Sequence, residues 1–352
     1  MVVGAGIVGL SSAIFYKRSH PSARVLVLDK GMMPEGASTR NAGFACVGSI
    51  TEHLADIEKE SAEAVKRRIR ARYDGLTLLR ALLGDEQIDY EACGGYELFK
   101  EPQRFEEASQ HIDKFNRWLD ELIDEKKVYS ATELNGYPVI YNRLEGSLHP
   151  GKMMQQLVEM AGREGVTIFW NSKVGAVDRS GSVELTDGKF IEAEQVLLAC
   201  NGFTKQLFPD IDIKPARGYV MVTNPQESMP WKGTFHHDRG YVYFRNIGDR
   251  LLIGGGRNLA YEEEQTSGFG TNQKIKEYLK NFVSDTLKLN PGWQIEHEWS
   301  GIMGFTETKT PIVKKVDEKR VIAAGLSGMG VAIGAAIGKK TASLLSKKSE
   351  DL

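Results

Sequence analysis

The first ten residues combine an apolar strand end with a glycine-rich turn and the start of a small, apolar helix. The turn has the pattern Gly4-x-Gly6-x-x-Gly9. In such a turn the first glycine permits the tight bend, the second lets a pyrophosphate approach the backbone, and the third lets the helix pack close to the strand. The free N–H groups and the positive end of the helix dipole favour bound phosphates. The spacing therefore predicts a dinucleotide site.

The residues after this turn supply the context that such a motif needs. Residues 24–28 are predicted to form a second buried strand, and Asp29 ends it, twenty residues after Gly9. An acidic side chain at this point would accept hydrogen bonds from the ribose hydroxyls and repel a 2′-phosphate. A glycine turn that binds nothing is the alternative interpretation. Strands usually have about five or six residues, so a longer first strand, beginning ahead of Met1, stays an open alternative.

The composition limits the classes of partner. The 352 residues suffice for two domains with a large core. A formal net charge of −2 gives no electrostatic attraction for nucleic acid. Cys46, Cys93 and Cys200 are far apart and form no CxxC pair. This spacing argues against a metal site or a dithiol redox centre and suits a reducing compartment, so we predict no metal and a cytoplasmic location without a signal peptide.

Residues 321–338 form the only segment that is apolar enough to suggest a membrane span. Within it, Gly330, Gly334 and Gly338 repeat at the GxxxG spacing of packed membrane helices. However, its first five residues have the pattern of a strand followed by a glycine turn. A buried strand, turn and helix is therefore favoured, and no integral membrane span is predicted.

The remaining chain alternates between the two predicted domains. Residues 30–45 form a long loop of small and polar residues, and such loops inside a domain are usually functional. Helical periodicity covers residues 52–83 and 101–126, strand patterns dominate residues 217–257, and a buried strand ends at Asn201. We predict a nucleotide domain over residues 1–83, 145–215 and 300–352, interleaved with a mixed-sheet substrate domain over residues 84–144 and 216–299.

Six short motifs occur in the order that is typical of one family. They are the glycine turn with Asp29, the loop 36–43, residues 146–150 before a helix and a strand near Val174, Arg217-Gly218, Trp299-x-Gly301, and the turn 325–330. Together they resemble the D-amino-acid oxidase-like family of FAD-dependent amine oxidoreductases, which includes sarcosine and glycine oxidases. The resemblance covers nearly the whole chain. It implies an α/β fold in which an FAD-binding Rossmann-like domain of the glutathione-reductase type is interleaved with a mixed-sheet α+β substrate domain.

The resemblance also implies FAD with its flavin between the two domains. Asp29 would hold the adenosine ribose, and the main chain of Val174 would meet the adenine. Residues 328–330 would present N–H groups to the pyrimidine edge of the flavin, where a helix N-terminus stabilises the reduced ring; a tightly packed core helix is the alternative. We expect non-covalent FAD, because no cysteine lies near this turn. The implied cofactor site comprises Gly4, Gly6, Gly9, Asp29, Lys30, Ser38, Thr39, Arg40, Asn41, Ala42, Val174, Asn201, Gly202, Gly325, Gly328, Met329, Gly330 and Val331.

The family's reaction transfers a hydride from the carbon beside an amine to flavin N5, and water then hydrolyses the imine. The protein need only position and desolvate the substrate and tune the flavin. We expect an amino acid or a secondary amine as substrate, and O2, a quinone or a carrier as electron acceptor. The alternatives are a 2-hydroxy-acid dehydrogenase of the same fold, which needs a base for the hydroxyl proton, and a non-catalytic flavin-binding module. A dehydrogenase would also allow a membrane-peripheral location.

The residues that would bind the substrate are less clear from the resemblance. After Trp299-x-Gly301 several relatives place an arginine that clamps the substrate carboxylate, but Met303 follows here. A bidentate clamp must then come from elsewhere. Arg245 is the main candidate, with Tyr243 beside it at the period-two spacing of a strand; an ion-paired or solvent-facing Arg245 is the alternative.

Other polar residues near these strands are weaker candidates. Arg257 and Arg217 are two further arginines that could serve as the clamp. His236 and His237 are expected on a loop, either with a catalytic or oxygen-gating role or at the surface. The predicted catalytic residues are Arg40, Tyr243, Arg245 and Met329.

Overall fold

A computed structural model describes residues 1–346 of the chain. In this part the helices are α1 (Ile7–Ser19), α2 (Ala37–Arg40), α3 (Ile50–Ile57), α4 (Ala62–Leu83), α5 (Pro102–Ser109), α6 (Ile112–Ile123), α7 (Pro150–Arg163), α8 (Gln273–Asn281) and α9 (Gly330–Ser346). Short 3-10 turns cover Glu86–Ile88, Asn201–Gln206 and Arg257–Ala260, and a π-helical turn covers Phe282–Thr286.

The strands of the same part of the chain form two large and two small sheets. They are β1 (Val2–Val3), β2 (Leu26–Leu28), β3 (Phe44–Ala45), β4 (Gly95–Leu98), β5 (Tyr129–Leu134), β6 (Tyr137–Asn142), β7 (Gly146–Ser147), β8 (Thr167–Phe169), β9 (Val174–Val177), β10 (Ser182–Leu185), β11 (Phe190–Glu192), β12 (Val196–Leu198), β13 (Lys214–Thr223), β14 (Thr234–His237), β15 (Val242–Ile247), β16 (Arg250–Gly255), β17 (Ile295–Phe305), β18 (Ile312–Lys315) and β19 (Arg320–Ala324).

The strand β1 lies inside a six-stranded sheet with the order β18-β19-β12-β1-β2-β8. Val3 pairs in parallel with Leu28 of β2 on one side and with Leu198 of β12 on the other. The edge strand β18 is antiparallel to β19, and the other neighbours are parallel. The inner strands are short apolar runs, as expected for a parallel sheet with both faces covered. Because β1 ends at Val3, the Gly4 turn opens at the carboxyl edge of the sheet.

Small residues bring helices α1 and α9 into close contact. A Cβ atom at Gly334 would lie 2.5 Å from Cγ2 of Ile7, and one at Gly338 would lie 2.4 Å from Cβ of Ser11. The GxxxG spacing therefore serves a helix contact within the protein. Helix α1 follows the glycine turn, and α9 follows the turn 325–330, which we call the closing turn. Among residues 1–346, none of the helices combines the length and the apolar composition that a membrane crossing requires.

The second large sheet has eight strands in the order β17-β13-β16-β15-β14-β4-β6-β5. It is mixed, because β4 and β14 are parallel while the other described neighbours are antiparallel. Along β15, Val242 and Phe244 face an apolar core that includes Trp231 and Phe235. Side chains alternate along a strand, so Tyr243 points to the opposite face of the sheet.

Two small sheets complete the described part of the chain. Strands β9, β10 and β11 form an antiparallel three-stranded sheet. Strands β3 and β7 form an antiparallel pair, in which Phe44 lies opposite Ser147. This pair brings the end of the loop 36–43 to the segment that precedes α7.

Two of the predicted helices are interrupted in the structure. Residues 52–83 contain the end of α3 and the whole of α4, and Ser61 begins α4 by accepting a hydrogen bond from the backbone N–H of Ala64. Residues 101–126 likewise contain α5 and α6. The helical spacing of apolar residues among charged ones continues across both breaks. This spacing alone therefore does not show where one helix ends and the next begins.

The sequence also predicts too little strand in two places. The hairpin of β5 and β6 turns at Asn135-Gly136, where both residues have positive φ (52° and 78°), as a type I′ turn requires. That dipeptide is the signal that would have identified it. The expectation that His236 and His237 lie on a loop is wrong, because β14 pairs with β15 on one side and with β4 on the other.

Candidate active site

Residues of both large sheets line a cavity of about 720 Å³. Ligand pockets typically measure roughly 300–1,000 Å³. One part of the lining comes from the turns at residues 4–9, 36–42 and 326–331 together with Asp29 and Asn201, and we call it the turn wall. Another part comes from β14, β15, β16 and their ends, and we call it the sheet wall. The sheet wall comprises His236, Tyr241, Tyr243, Gly255 and Arg257.

The three glycines of the first turn have different neighbours. A Cβ atom at Gly4, which has φ of 105°, would lie 2.8 Å from the carbonyl oxygen of Ala199. One at Gly9 would lie 1.9 Å from the carbonyl oxygen of Gly4. At Gly6 the only atom of residues 1–346 within 4 Å of such a Cβ atom is Oγ of Ser38, at 3.0 Å. The first and third glycines are therefore required by the protein's own backbone, whereas Gly6 leaves open space on the cavity side.

Two polar side chains hold this turn in place. The carboxylate of Asp29 accepts hydrogen bonds from the backbone N–H groups of Ala5 (2.8 Å) and Gly31 (2.9 Å), one on each oxygen. Each oxygen keeps a free lone pair for a hydroxyl on the cavity side. Ser38 accepts a hydrogen bond from the N–H of Ile7 (3.0 Å), in the first turn of α1. The second strand end and the loop 36–43 thus meet at the N-terminus of α1.

The loop 36–43 is fixed mainly by its own polar groups. Asn41 donates from Nδ2 to the carbonyl oxygen of Ser38 (2.7 Å) and accepts at Oδ1 from the N–H of Gly43 (2.9 Å). Arg40 donates to the carbonyl oxygen of Ser300 on β17 (3.2 Å), and the indole N–H of Trp299 donates to the carbonyl oxygen of Arg40 (2.9 Å). The loop, which belongs to the turn wall, is therefore attached to β17 of the eight-stranded sheet, the sheet that also contains the strands of the sheet wall.

The closing turn depends on Asn201, which has φ of 46°. Its Oδ1 accepts hydrogen bonds from the N–H groups of Gly325 (3.0 Å) and Leu326 (3.3 Å). Gly328, with φ of 86°, then leads the chain into α9, which begins at Gly330. The N-terminus of α9 lies at the cavity, so two helix N-termini, those of α1 and α9, belong to the turn wall.

The sheet wall combines aromatic rings with a cation. The guanidinium carbon of Arg257 lies 4.4 Å from the ring centroids of both Tyr261 and Phe305. No carboxylate within residues 1–346 forms an ion pair with it, so its donors remain available on the cavity side. Burial raises the pKa of Tyr243 to about 12, which keeps this phenol a hydrogen-bond donor at neutral pH.

The structure does not bring Arg245 to the cavity, contrary to the prediction that made it the carboxylate clamp. Its side chain is buried and donates to the carbonyl oxygen of Leu148 (3.1 Å), and burial lowers its pKa. A Cβ atom at Gly43 would lie 2.9 Å from this guanidinium. Gly43, at the end of the loop 36–43, and Leu148, after β7, therefore cover the side chain of Arg245. Arg245 nevertheless lies on the same face of β15 as Tyr243.

Arg217 is committed to another partner. Its guanidinium binds both carboxylate oxygens of Glu264, at 2.7 and 2.8 Å, and Glu264 is 1% exposed. A bidentate pair of this kind leaves little capacity for a substrate carboxylate. Of the three arginines named from the sequence as possible clamps, Arg257 is the one whose side chain faces the cavity.

Most of the other predicted site residues line the cavity. They are Gly4, Gly6, Asp29, Lys30, Ser38, Arg40, Asn41, Ala42, Val174, Asn201, Tyr243, Gly328, Met329, Gly330 and Val331. Gly9, Thr39, Gly202 and Gly325 do not line it. Thr39 instead donates from Oγ1 to the carbonyl oxygen of Pro34 (2.6 Å), and Gly202 packs against the backbone of Met303.

Among the cavity residues, Phe44 was not assigned from the sequence, and the role of His236 was left open. Phe44 packs edge-on against His236 (5.3 Å between ring centroids) and against Tyr243 (5.6 Å). His236 is hydrogen-bonded to Glu145, 91 residues away in the sequence. The alternation of Tyr241 and Tyr243 on a strand was a usable signal for the sheet wall. For the pairing with Glu145 the sequence contains no local signal.

The comparisons with known proteins agree with this geometry. A family model described as FAD-dependent oxidoreductase (DAO) matches residues 1–344. The chain belongs to this family. The predicted resemblance, the fold class and the assignment as an oxidoreductase are thereby confirmed. The family implies FAD, and the turn wall fits it, because Gly6 lacks the Cβ atom that would fill the approach of a pyrophosphate to the N-terminus of α1.

Individual relatives of this flavoprotein are distant. A probable oxidoreductase, OrdL, of Rhizobium meliloti (strain 1021) is 24% identical over 100% of this chain and 83% of its own length. Glycine oxidase of Geobacillus kaustophilus (strain HTA426) is 24% identical over 99% of this chain and 92% of its own.

Crystal structures show the same fold. That of glycine oxidase from Geobacillus kaustophilus matches with a TM-score of 0.75 and 19% identity, over 99% of this chain and 94% of the other. That of iminodiacetate oxidase from Chelativorans sp. BNC1 matches with a TM-score of 0.75 and 16% identity, over 99% and 95%.

Proposed function

We propose that this flavoprotein oxidises the C–N bond of an amino acid or a carboxylate-bearing secondary amine. One observation carries the proposal: a single cavity joins the turn wall, which suits a dinucleotide, to a sheet wall with the phenol of Tyr243 and with Arg257, which has no acidic partner in the described part of the chain. When bound, FAD supplies the hydride acceptor, flavin N5. The imine that results is hydrolysed by water.

The cofactor contacts follow from the turn wall. The N-terminus of α1 at Gly6 would hold the pyrophosphate, and Asp29 would hold the adenosine ribose through the free lone pairs of its carboxylate. The main chain of Val174 would meet the adenine. Arg40 and Asn41 would line the flavin, and the N-terminus of α9, with Met329, would stabilise the negative charge of its reduced form.

The substrate contacts follow from the sheet wall. Arg257 would bind the substrate carboxylate, since its guanidinium is held against two rings and has no acidic partner among residues 1–346. Tyr243 would donate a hydrogen bond beside it. The aromatic rings exclude water from the reacting carbon, which strengthens these polar contacts. This places Arg257 in the role predicted for Arg245.

The names of two relatives support an amine substrate that carries a carboxylate. Glycine and iminodiacetate each combine an amine with a carboxylate, and both are substrates in the names of relatives that cover nearly the whole chain. The electron acceptor that we propose is O2, with a quinone or a carrier protein as the alternative. We also propose a cytoplasmic location, on the basis of the cysteine pattern.

The thiols nearest the cavity support non-covalent FAD. Cys46 and Cys200 both line it. Burial raises the pKa of Cys46 well above its ordinary value, and burial raises the pKa of Cys200 to about 12. Both side chains are therefore protonated thiols at neutral pH, a poorly nucleophilic form.

We further propose a refined division into domains. Two of the boundaries predicted from the sequence, 215/216 and 299/300, fall within the paired strands β13 and β17. Since a strand belongs to one sheet along its length, we move these boundaries to 213/214 and 305/306. The boundaries at 83/84 and 144/145 stay as predicted.

A second candidate function is oxidation of a 2-hydroxy acid. Such a reaction requires a base for the hydroxyl proton. The observation that favours it is His236, an imidazole on the cavity lining that is hydrogen-bonded to a buried carboxylate. The carboxylate contact at Arg257 would be the same for both classes of substrate.

Anaerobic bleaching of the bound FAD tests the proposal. D- and L-amino acids, N-methyl amino acids, polyamines and 2-hydroxy acids would each be mixed with the holoenzyme while the flavin absorbance is followed. We expect bleaching by a carboxylate-bearing amine and none by polyamines. Bleaching by 2-hydroxy acids alone would favour the second candidate, and no bleaching by any compound would favour a flavin-binding module. Rapid reoxidation in air would identify an oxidase.

A further inference from the structure

The imidazole of His236 is held by a buried carboxylate. Its Nε2 lies 3.0 Å from Oε2 of Glu145, whose side chain is 1% exposed, while that of His236 is 13% exposed. The second oxygen of Glu145 accepts hydrogen bonds from the N–H of Gly48 (3.1 Å) and from Nδ2 of Asn142 (3.3 Å). The carboxylate is therefore fixed in position and directed at one imidazole nitrogen.

The other nitrogen, Nδ1, is on the cavity side. It has no hydrogen-bond partner within residues 1–346, and a Cβ atom at Gly240, another cavity residue, would lie 3.9 Å from it. Phe44 packs edge-on against the imidazole and fixes its plane. A histidine with one nitrogen bound to a buried carboxylate and the other free is the arrangement in which a carboxylate orients a base for proton transfer.

On this geometry, and on the basis of the proposed amine oxidation, we propose that His236 is a general base. Its Nδ1 takes a proton from the ammonium nitrogen of the substrate, with Glu145 as its positioning residue. The N–H bond of the ammonium breaks, its electron pair stays on the nitrogen, and a new N–H bond forms at Nδ1. The neutral amine then gives up the hydride of its neighbouring carbon to bound FAD and becomes the iminium. The imidazolium finally releases its proton to water.

The remaining ionisable groups around His236 are engaged elsewhere. Glu97, opposite it on β4, accepts hydrogen bonds from Ser49 and Thr51. Glu52 of α3 is paired with Arg72 at 2.9 Å.

Two further groups face it with neutral side chains. The sulfur of Cys46, after β3, lies within 4.8 Å of an imidazole nitrogen of His236 and of a carboxylate oxygen of Glu145. Burial raises the pKa of this thiol and so keeps it protonated. Tyr243, opposite His236 on β15, is likewise held neutral by burial, which raises its pKa. Glu145 is thus the carboxylate in direct contact with the imidazole.

The balance of these groups determines the direction of the pH dependence. Burial is the largest single influence on the pKa of His236 and lowers it, but the charge and hydrogen bond of Glu145 together with the charges of Glu52 and Glu97 outweigh burial, so the pKa is raised above 6.5. The neutral base is present above this pKa. Consequently kcat/KM for an amine substrate rises as the pH rises through the pKa of His236.

Two variants and a matched control test the proposal in the holoenzyme. In His236→Gln the amide Nε2 still donates to Glu145, but no atom accepts a proton, so we expect kcat/KM to fall about 100-fold above the pKa and the rising limb to disappear. In Glu145→Gln the rising limb should move to lower pH, because the carboxylate charge that raises the pKa of His236 is lost. His237→Gln makes the same change on the other face of β14, where Nδ1 contacts the carbonyl oxygen of Leu98, and should alter neither.

A titration by NMR gives a readout that does not require turnover. In protein labelled with 13C-histidine, the signal that His236→Gln removes should titrate with a pKa above 6.5, and Glu145→Gln should lower that pKa. A pKa of His236 below 6.5 would overturn the proposal. So would a His236→Gln variant in which kcat/KM and its rise with pH are the same as in the wild type. Slower reoxidation in air with normal flavin reduction would also overturn it. If no amine bleaches the wild-type flavin, the proposed function fails, whereas the titration still tests the pair of His236 and Glu145.

Discussion

The turn wall and the sheet wall of the cavity are built from different parts of the polypeptide. The turn wall is mainly backbone: glycines without side chains, two helix N-termini, and the two side chains of Asp29 and Asn201, which accept backbone N–H groups. The sheet wall is mainly side chain: Arg257 stacked on aromatic rings and His236 paired with Glu145. The first wall thus offers mainly backbone N–H groups and open space, and the second offers charged and aromatic side chains.

The difference shows which kind of site the sequence reveals. A backbone site depends on conformations within a few residues, so its glycines recur at fixed spacing. A side-chain site depends on partners from distant segments. The partners in the pair of His236 and Glu145 are 91 residues apart, and nothing near either residue indicates the other.

The largest expected effect comes from filling the turn wall at Gly6. In Gly6→Val the side chain occupies the space that the pyrophosphate needs, and the contacts to the N-terminus of α1 are lost. Hydrogen bonds to a charged group contribute roughly 1.5–3 kcal/mol each, so the loss of two of them should lower FAD affinity about 100-fold or more. The measurement is the ratio of flavin to protein absorbance after gel filtration.

The control for this variant is the stability of the apoprotein. Because only Oγ of Ser38 lies within 4 Å of a Cβ atom at Gly6, the variant should stay folded by circular dichroism. Gly9→Ala should behave differently and lose the fold around the turn, since its Cβ atom would meet the carbonyl oxygen of Gly4 at 1.9 Å. A yellow, fully loaded Gly6→Val protein would contradict the proposed position of the pyrophosphate.

The next effect comes from the sheet wall, through Arg257→Gln. Removing one partner of a desolvated charge contact costs roughly 2 kcal/mol or more, so the Kd of a carboxylate-bearing amine should rise about 30-fold. The Kd is measured from the dependence of flavin bleaching on substrate concentration.

Arg217→Gln provides the comparison for that variant. Its guanidinium already binds both oxygens of the buried Glu264, so its loss should lower the Tm and leave the Kd unchanged. If Arg217→Gln raises the Kd and Arg257→Gln does not, the assignment of the carboxylate contact is refuted.

More of the residues predicted from the sequence line the cavity at the turn wall than at the sheet wall. Six motifs in order identified the family and the fold, and most of the residues predicted around the cofactor line the cavity. Thr39 was placed there by its neighbours in the motif, although its hydroxyl contacts Pro34. Arg245 was chosen because it lies on a predicted substrate strand, and strand alternation then put Tyr243 on the same face. Alternation does not show that the segment at Gly43 covers Arg245.

A buried histidine outside the two walls should make the stability of the protein depend on pH. Burial, with contributions from Arg72 and Lys309, lowers the pKa of His53 to about 3, although Glu52 opposes the shift. The unfolded state, with an ordinary pKa near 6.5, binds the proton more readily. The stability that this residue contributes is therefore present above pH 6.5 and is lost as the pH falls from 6.5 towards 3.

His53→Gln removes this titration. Between pH 7.5 and 5.0 the wild type should lose about 1–2 kcal/mol more unfolding free energy than the variant. Urea unfolding of the apoprotein at the two pH values measures the difference. The hydroxyl of Tyr129 lies next to His53 and donates to the carbonyl oxygen of Gly48. This hydroxyl therefore keeps a hydrogen-bond partner in the His53→Gln variant. His297 is exposed, so the His297→Gln variant should lose as much unfolding free energy as the wild type between the two pH values. Equal losses in the wild type, His53→Gln and His297→Gln would contradict the prediction.

The smallest effect tests whether glycine is required at every position or only where another atom lies close. Gly162, near the end of α7, is exposed and has no atom within 4 Å of a Cβ position. Alanine has the higher helix propensity and reduces the conformational freedom of the unfolded chain, so Gly162→Ala should raise the unfolding free energy by about 0.5 kcal/mol. FAD content should not change. A destabilised Gly162→Ala would mean that the tolerance of a glycine in this protein is not determined by the space at its Cβ position, and the distinction drawn between Gly6 and Gly9 would lose its basis.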